Sequence, residues 1–110
     1  MTLERTVLDF PIRVEIKKLN EGWDVGIFGG CTTHVGAVSL AASDGTVETL
    51  ERPGHKDGVI SAQWASELAV QLDDVVCVRC GIHYDNAEKA QLTAIVDACE
   101  DLLRKAKEKL

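Results

Sequence analysis

The hydrophobic residues of this chain change their spacing about halfway along it, and this change restricts the fold class. Up to about residue 50 they alternate with polar residues, as Ile12, Val14 and Ile16 do. Beyond that point they recur every three or four residues in two long segments. A period of two is typical of half-buried strands, and a period of 3.6 of amphipathic helices. The sequence therefore predicts strands first and helices afterwards.

Four strands are predicted in the first half. The first two cover residues 12–16 and 23–27, and residues 20–22 between them have hairpin-turn composition. Two further strands cover residues 35–41 and 46–50. We expect these four strands to form an antiparallel meander.

Two helices and a fifth strand are predicted in the second half. The first helix follows Asp57, which suits the N-cap position, and residues 75–80 form a central strand. Before the last helix, Asp85 and Glu88 have the spacing of a capping box. The order β-β-β-β-α-β-α predicts one α+β domain over residues 1–110. Its sheet is mostly antiparallel and four- to five-stranded, with two helices on one face.

Composition and charge argue against several classes of partner. The formal net charge of −6 argues against nucleic acid and against anionic membrane surfaces. No apolar run approaches the roughly 20 residues of a membrane-spanning helix. The N-terminal residues lack the pattern of a signal peptide, so we expect a cytoplasmic location, where the four cysteines would stay reduced. Cys99 fits the core, and Cys31, in a glycine loop, is the cysteine to test for reactivity.

All three histidines lie in glycine-flanked turns. His34 precedes Gly36, His55 follows a Pro-Gly pair, and His83 joins the fifth strand to the last helix. Imidazoles with one carboxylate, here Asp85, can hold a divalent metal ion, and imidazoles with helix-start N–H groups can bind a phosphate. The metal-binding and phosphate-binding interpretations hold together if a metal ion bridges the protein and a phosphate. The same residues also suit ordinary loop, core and cap roles, and this alternative stays open.

Taken together, the three turns resemble the LpdD-like family, small proteins encoded with UbiD-type (hydroxy)arylic acid decarboxylases. The resemblance rests on GGCTTHVGAV at residues 29–38, PGHKDG at 53–58 and GIHYDNA at 81–87, and it spans about residues 10 to 105. It implies a non-catalytic chaperone that binds prenylated flavin mononucleotide (prenylated FMN), or FMN, and delivers it to a UbiD-type decarboxylase.

The resemblance also implies one site at the phosphate of the flavin. The residues predicted to bind the cofactor are His34, Gly30, Gly36, His55, Lys56, His83, Tyr84 and Asn86. The residues predicted to ligate a divalent metal ion are His34, His55, His83 and Asp85. The small side chains at residues 35–41 would leave room for the flat flavin, and Tyr84 or Trp64 could lie against its rings.

Two other functions stay open on the sequence alone. One is a small metal-dependent enzyme whose three histidines hold a metal-activated water. The other is a structural accessory subunit that only packs on the decarboxylase. An exposed sheet face or the apolar terminal helix could also support a homodimer.

Overall fold

Six strands and two helices make up the fold in the computed structural model, which describes residues 1–110. The strands are β1 (Thr2–Val7), β2 (Phe10–Lys18), β3 (Trp23–Gly30), β4 (Ala37–Ala41), β5 (Val47–Glu51) and β6 (Val76–His83). The helices are α1 (Gly58–Leu72) and α2 (Lys89–Lys109). The predicted α+β class is confirmed, although the sheet has one or two strands more than expected.

The strands form one sheet in the order β1-β2-β3-β6-β4-β5. Only the pairing of β3 with β6 is parallel, and the other four pairings are antiparallel. The expectation of a four-strand meander is wrong at one point, because β6 lies between β3 and β4. Val76, Val78 and Cys80 are fully buried, and so apolar a strand is best accommodated inside a sheet with a neighbour on each side.

Strand β1 was not predicted because its sequence shows little alternation. Only Leu3 and Val7 of its six residues are partly buried, and the others are exposed. It is held by backbone pairing with β2, in which Leu3 lies opposite Val14. A strand held mainly by backbone hydrogen bonds at a sheet edge leaves a weak hydrophobic pattern.

Both helices cover the same face of the sheet. The inward side chains of β2 and β3 meet those of the helices in one core, as the alternation predicted. Trp64 is fully buried in this core. Trp64 is therefore not accessible to a ligand, and of the two aromatic candidates only Tyr84 remains.

The helix starts differ from the expected capping pattern. Helix α2 has Glu88 as N-cap and Gln91 as the third helical residue, so the capping box begins three residues later than predicted. Asn86 has a left-handed backbone (φ +54), which interrupts the helical path after Asp85. Asp57 is the N-cap of α1 as expected, but its side chain makes no capping hydrogen bond. Both aspartates are thus free for other contacts.

Helices α1 and α2 run in the same direction and diverge towards their N-termini. Near their C-terminal ends, Lys107 Nζ lies 2.5 Å from Glu67 Oε1, and Gln71 Nε2 donates to the Lys107 carbonyl at 2.8 Å. Their N-terminal halves border a cavity of about 480 Å³. Neither helix combines the length and the apolar character that crossing a bilayer requires.

Candidate functional site

Three segments of the chain meet beside the N-terminus of α1, and each carries one histidine. The centroid of the His34 ring lies 4.9 Å from that of His55 and 6.3 Å from that of His83. His34 and His55 lie in the loops after β3 and β5, and His83 is the last residue of β6. The three imidazoles are therefore neighbours in space, and their roles as ligands stay a prediction.

A buried carboxylate, that of Asp57, lies among these rings. Its side chain is 7% exposed. Asp57 Oδ1 accepts the backbone N–H of Ile82 at 3.0 Å, while Oδ2 lies 3.2 Å from His34 Nε2 and 3.9 Å from His55 Nδ1. The sequence predicts only a helix-capping role for Asp57. Its position two residues after His55, in the same turn, is the sequence signal that could have indicated its place among these rings.

Three electron-pair donors converge in this cluster, because His55 Nδ1 also lies 3.1 Å from His34 Nε2. A neutral imidazole has one N–H and one lone pair, and a carboxylate has only lone pairs. A proton on His34 Nε2 can be shared with Asp57 and His55. The lone pairs of Asp57 Oδ2 and His55 Nδ1, which are 3.9 Å apart, then have no proton between them.

The same three atoms suit a divalent metal ion. Two imidazole nitrogens and one carboxylate oxygen form a common three-ligand set for zinc and for non-haem iron. Ligand atoms about 2.0–2.2 Å from one ion are separated from each other by about 3.0–3.5 Å. The separations of 3.1, 3.2 and 3.9 Å among His34, His55 and Asp57 are close to this range. The residues present therefore fit a metal ion.

The other two predicted metal ligands lie at the outer edge of the cluster. His83 Nε2 is 2.9 Å from Asp85 Oδ1, and the two side chains are 52% and 68% exposed. Neither belongs to the converging set of three atoms. Their roles as ligands stay a prediction, and the geometry favours Asp57 over Asp85 as the carboxylate ligand.

Two glycines predicted to bind the cofactor provide space for the site. A Cβ atom on Gly36 would lie 1.8 Å from Asp57 Oδ2, and one on Gly30 would lie 2.0 Å from the carbonyl oxygen of His83. Gly30 also has φ +86, which favours glycine. A contact of either glycine with a cofactor stays a prediction, whereas their role in packing the histidine loops is visible.

The cavity between the helices begins at this cluster. His55, Lys56 and His83 line one end, and the walls are mainly apolar. The apolar wall residues include Val59, Ile60, Leu92, Ile95 and Val96. A volume of about 480 Å³ lies within the usual range of about 300–1,000 Å³ for small-molecule sites. The sequence does not predict that these residues line a cavity, because their spacing indicates only apolar helix faces.

Tyr84 and Asn86 occupy different positions relative to this cavity. Tyr84 lines it, donates its hydroxyl hydrogen bond to the Phe10 carbonyl at 3.0 Å, and has its pKa raised by burial. Asn86 is exposed and is not among the lining residues. Tyr84 is thus the aromatic residue placed to contact a ligand, and for Asn86 cofactor binding stays a prediction.

The reactivity of Cys99 tests whether reagents reach the buried side, or floor, of the cavity. Cys99 lies there, and burial raises the pKa of its thiol to about 12. At pH 8 its thiolate fraction is then about one in ten thousand, and the thiolate is the reactive form. We expect iodoacetamide at pH 8 to label the partly exposed Cys31 at least about tenfold faster than Cys99, as measured by peptide mass spectrometry. Urea should remove the difference, and fast labelling of native Cys99 would contradict a closed floor.

The family model described as "Prenylated flavin chaperone LpdD-like domain" matches residues 6–110. The chain belongs to this family. The resemblance inferred from the three histidine turns is confirmed. Because the LpdD-like domain is described as a chaperone, the assignment also supports a non-enzymatic accessory protein.

Two individual proteins that this LpdD-like domain resembles share at most 30% of its residues in the aligned regions. It is similar to protein LpdD of Lactiplantibacillus plantarum, with 30% identity over 90 residues. The match covers 76% of this chain and 66% of that protein, so the chain spans slightly less than two thirds of its relative. It also aligns with a chain from a crystal structure of a chaperone complex for yeast 20S proteasome assembly. That alignment has 15% identity and a TM-score of 0.49, and it covers 96% of this chain and 95% of the other.

Proposed function

We propose that this protein binds prenylated FMN, with a divalent metal ion at its phosphate, and delivers it to a UbiD-type decarboxylase. The observation that carries the proposal is the continuity of the His34–His55–Asp57 cluster with an apolar cavity of about 480 Å³. A flavin mononucleotide likewise has a polar and a less polar end, with an anionic phosphate at one and a flat ring system at the other. The prenyl addition enlarges the apolar part.

The polar end supplies several groups suited to an anion. A metal ion at His34, His55 and Asp57 would add positive charge and keep open positions for phosphate oxygens. Lys56 is exposed at the mouth of the cavity. The N-terminus of α1 begins directly after Asp57, and its dipole favours a negative charge nearby. These groups lie together, so they can act on one phosphate.

The apolar walls account for the part of the ligand away from the phosphate. Val59, Leu92 and Val96 are exposed along the gap between the helices. Covering such surface is worth about 25 cal/mol per Å², or about 0.8 kcal/mol per buried methylene. The prenylated flavin offers more apolar surface than FMN, so we expect the protein to bind it more tightly.

Binding of the two flavins with and without metal tests the proposal. Protein stripped with a chelator is titrated with prenylated FMN and with FMN, in the presence and absence of Co²⁺. We expect prenylated FMN to bind at least about tenfold more tightly than FMN, and both to weaken without Co²⁺. If neither flavin binds, and the decarboxylase is activated equally well without this protein, the proposal is wrong and a purely structural subunit is favoured.

A matched pair of variants separates the cavity from the metal cluster. Val96→Trp places a large side chain at the cavity wall, and Val70→Trp places one on an exposed part of α1 outside the cavity. Val96→Trp should weaken flavin binding at least about tenfold, equivalent to about 1.4 kcal/mol, and leave Co²⁺ affinity unchanged. Val70→Trp should change neither. Metal-dependent turnover of a small ester without flavin would instead favour the enzyme alternative.

Other sequence-based expectations stay predictions within this proposal. They are the cytoplasmic location, the absence of nucleic-acid and membrane partners, and a homodimer. The open sheet face contains exposed Leu40 and Leu50, which suit the contact that a homodimer would need.

A further inference from the structure

The start of helix α1 is capped in an unusual way. An aspartate at the N-cap normally accepts a hydrogen bond from a first-turn N–H group of its own helix. Asp57 has helical dihedrals (φ −66°, ψ −18°) and makes no such bond. Its two carboxylate oxygens instead contact Ile82 N–H and the histidine pair. The first turn of α1 therefore needs another acceptor.

Glu51, the last residue of β5, provides that acceptor. Its Oε2 accepts the backbone N–H of Gly58 at 2.7 Å. A Cβ atom at residue 58 would lie 2.4 Å from Glu51 Oε2, so the glycine leaves room for the carboxylate. The backbone of Glu51 is held opposite Ala37 by the pairing of β4 with β5. The capping carboxylate therefore comes from strand β5 and not from the N-cap residue of α1.

We infer that Glu51 is a positioning residue for the cluster, because it caps α1 and so keeps the Asp57 carboxylate directed at His34 and His55. Gly58 directly follows Asp57, so the hydrogen bond from Gly58 N–H to Glu51 fixes the backbone that carries the Asp57 side chain. Without Glu51, this backbone loses its hydrogen bond to β5, and the Asp57 carboxylate is no longer held towards both histidines. The metal-binding consequence rests on the proposed function, and the orientation of Asp57 does not.

Three variants of β5 test this inference through Co²⁺ affinity. Glu51→Ala removes the acceptor, and we expect Co²⁺ binding to weaken by about 10- to 100-fold, as is typical for residues that orient a metal ligand. Glu51→Gln retains a side-chain oxygen for Gly58 N–H and should restore affinity to within about threefold of the wild type. Glu48→Ala removes the same charge from an exposed position of the same strand and should leave affinity unchanged.

Histidine ring NMR without metal gives a second, independent readout. The ring nitrogen shifts of His34 report its contact with Asp57 Oδ2, which lies 3.2 Å away. We expect these shifts to change in Glu51→Ala and to stay unchanged in Glu51→Gln and Glu48→Ala. A loss of thermal stability in Glu51→Ala with unchanged shifts and Co²⁺ affinity would overturn the inference, because Glu51 would then be only a helix cap.

The two readouts distinguish this inference from the proposed function. If the wild type does not bind Co²⁺, the metal role in the proposed function fails. The ring shifts alone then decide about Glu51: a change in Glu51→Ala supports the inference, and no change overturns it.

Discussion

Replacement of Asp57 by asparagine is expected to weaken Co²⁺ binding more than 100-fold and to leave the fold nearly intact. The asparagine oxygen can still accept the Ile82 N–H, which Asp57 Oδ1 now accepts at 3.0 Å. It cannot supply the negative oxygen that lies beside His34 and His55. Loss of an outer-shell partner costs about 10- to 100-fold in metal affinity, so loss of the carboxylate ligand should cost more. Calorimetric titration and the visible spectrum of bound Co²⁺ measure the change.

Two further aspartate variants complete this test. Asp57→Ala also removes the acceptor for Ile82 N–H, and an unpaired buried N–H costs about 1–3 kcal/mol. It should therefore unfold at a lower temperature than Asp57→Asn. Asp85→Asn should hardly change Co²⁺ affinity, because the exposed Asp85 contacts only His83 in this cluster. The assignment of the carboxylate ligand is contradicted if Asp85→Asn loses Co²⁺ and Asp57→Asn retains it.

The fold class followed from the sequence because the hydrophobic periods are strong where one face is buried. Ile12, Val14 and Ile16 alternate with exposed charged residues and enter the core together. The position of β6 did not follow, because an apolar run indicates an inner strand but not its neighbours. Strand order is decided by long-range pairing, such as that of β6 with both β3 and β4.

The candidate site was predictable only in part, for a related reason. The glycine-flanked turns identified the segments that bring His34, His55 and His83 together. The sequence predicts capping for Asp57, because it shows which residue can cap a helix but not which other acceptor lies nearby in space. Here that acceptor is Glu51, and its role is visible only once β5 is placed beside the start of α1.

The capping box of α2 shows the same limit of local reasoning. Asp85 and Glu88 had suitable residue types and spacing, but the box is formed by Glu88 and Gln91. The left-handed backbone of Asn86 displaces the helix start and leaves Asp85 in contact with His83. In both helices, then, the aspartate that the sequence offers as a cap lies beside a histidine instead.

Replacement of Gly36 by alanine is expected to abolish Co²⁺ binding, with a loss of more than about 100-fold, and to destabilise the fold. The new Cβ would lie 1.8 Å from Asp57 Oδ2, so the carboxylate must leave its position. The backbone cannot retreat easily, because Gly36 N–H donates to the Cys80 carbonyl and Gly36 O accepts the Arg52 N–H, both at 2.8 Å. Overpacking of this kind costs about 1–3 kcal/mol. Thermal unfolding and Co²⁺ titration measure the two effects separately.

Gly54→Ala and a double variant show whether the effect comes from the clash with Asp57. Gly54 has a left-handed backbone, but no atom lies within 4 Å of the position that a Cβ would take there, so its alanine variant should lose about 1–2 kcal/mol of stability and keep Co²⁺ affinity. Combining Gly36→Ala with Asp57→Ala removes the carboxylate that clashes. The double variant should therefore be less destabilised than the sum of the single variants, since residues in contact are not additive. Additive losses, or a Gly36→Ala protein that binds Co²⁺ like the wild type, would show that Gly36 does not make room for Asp57.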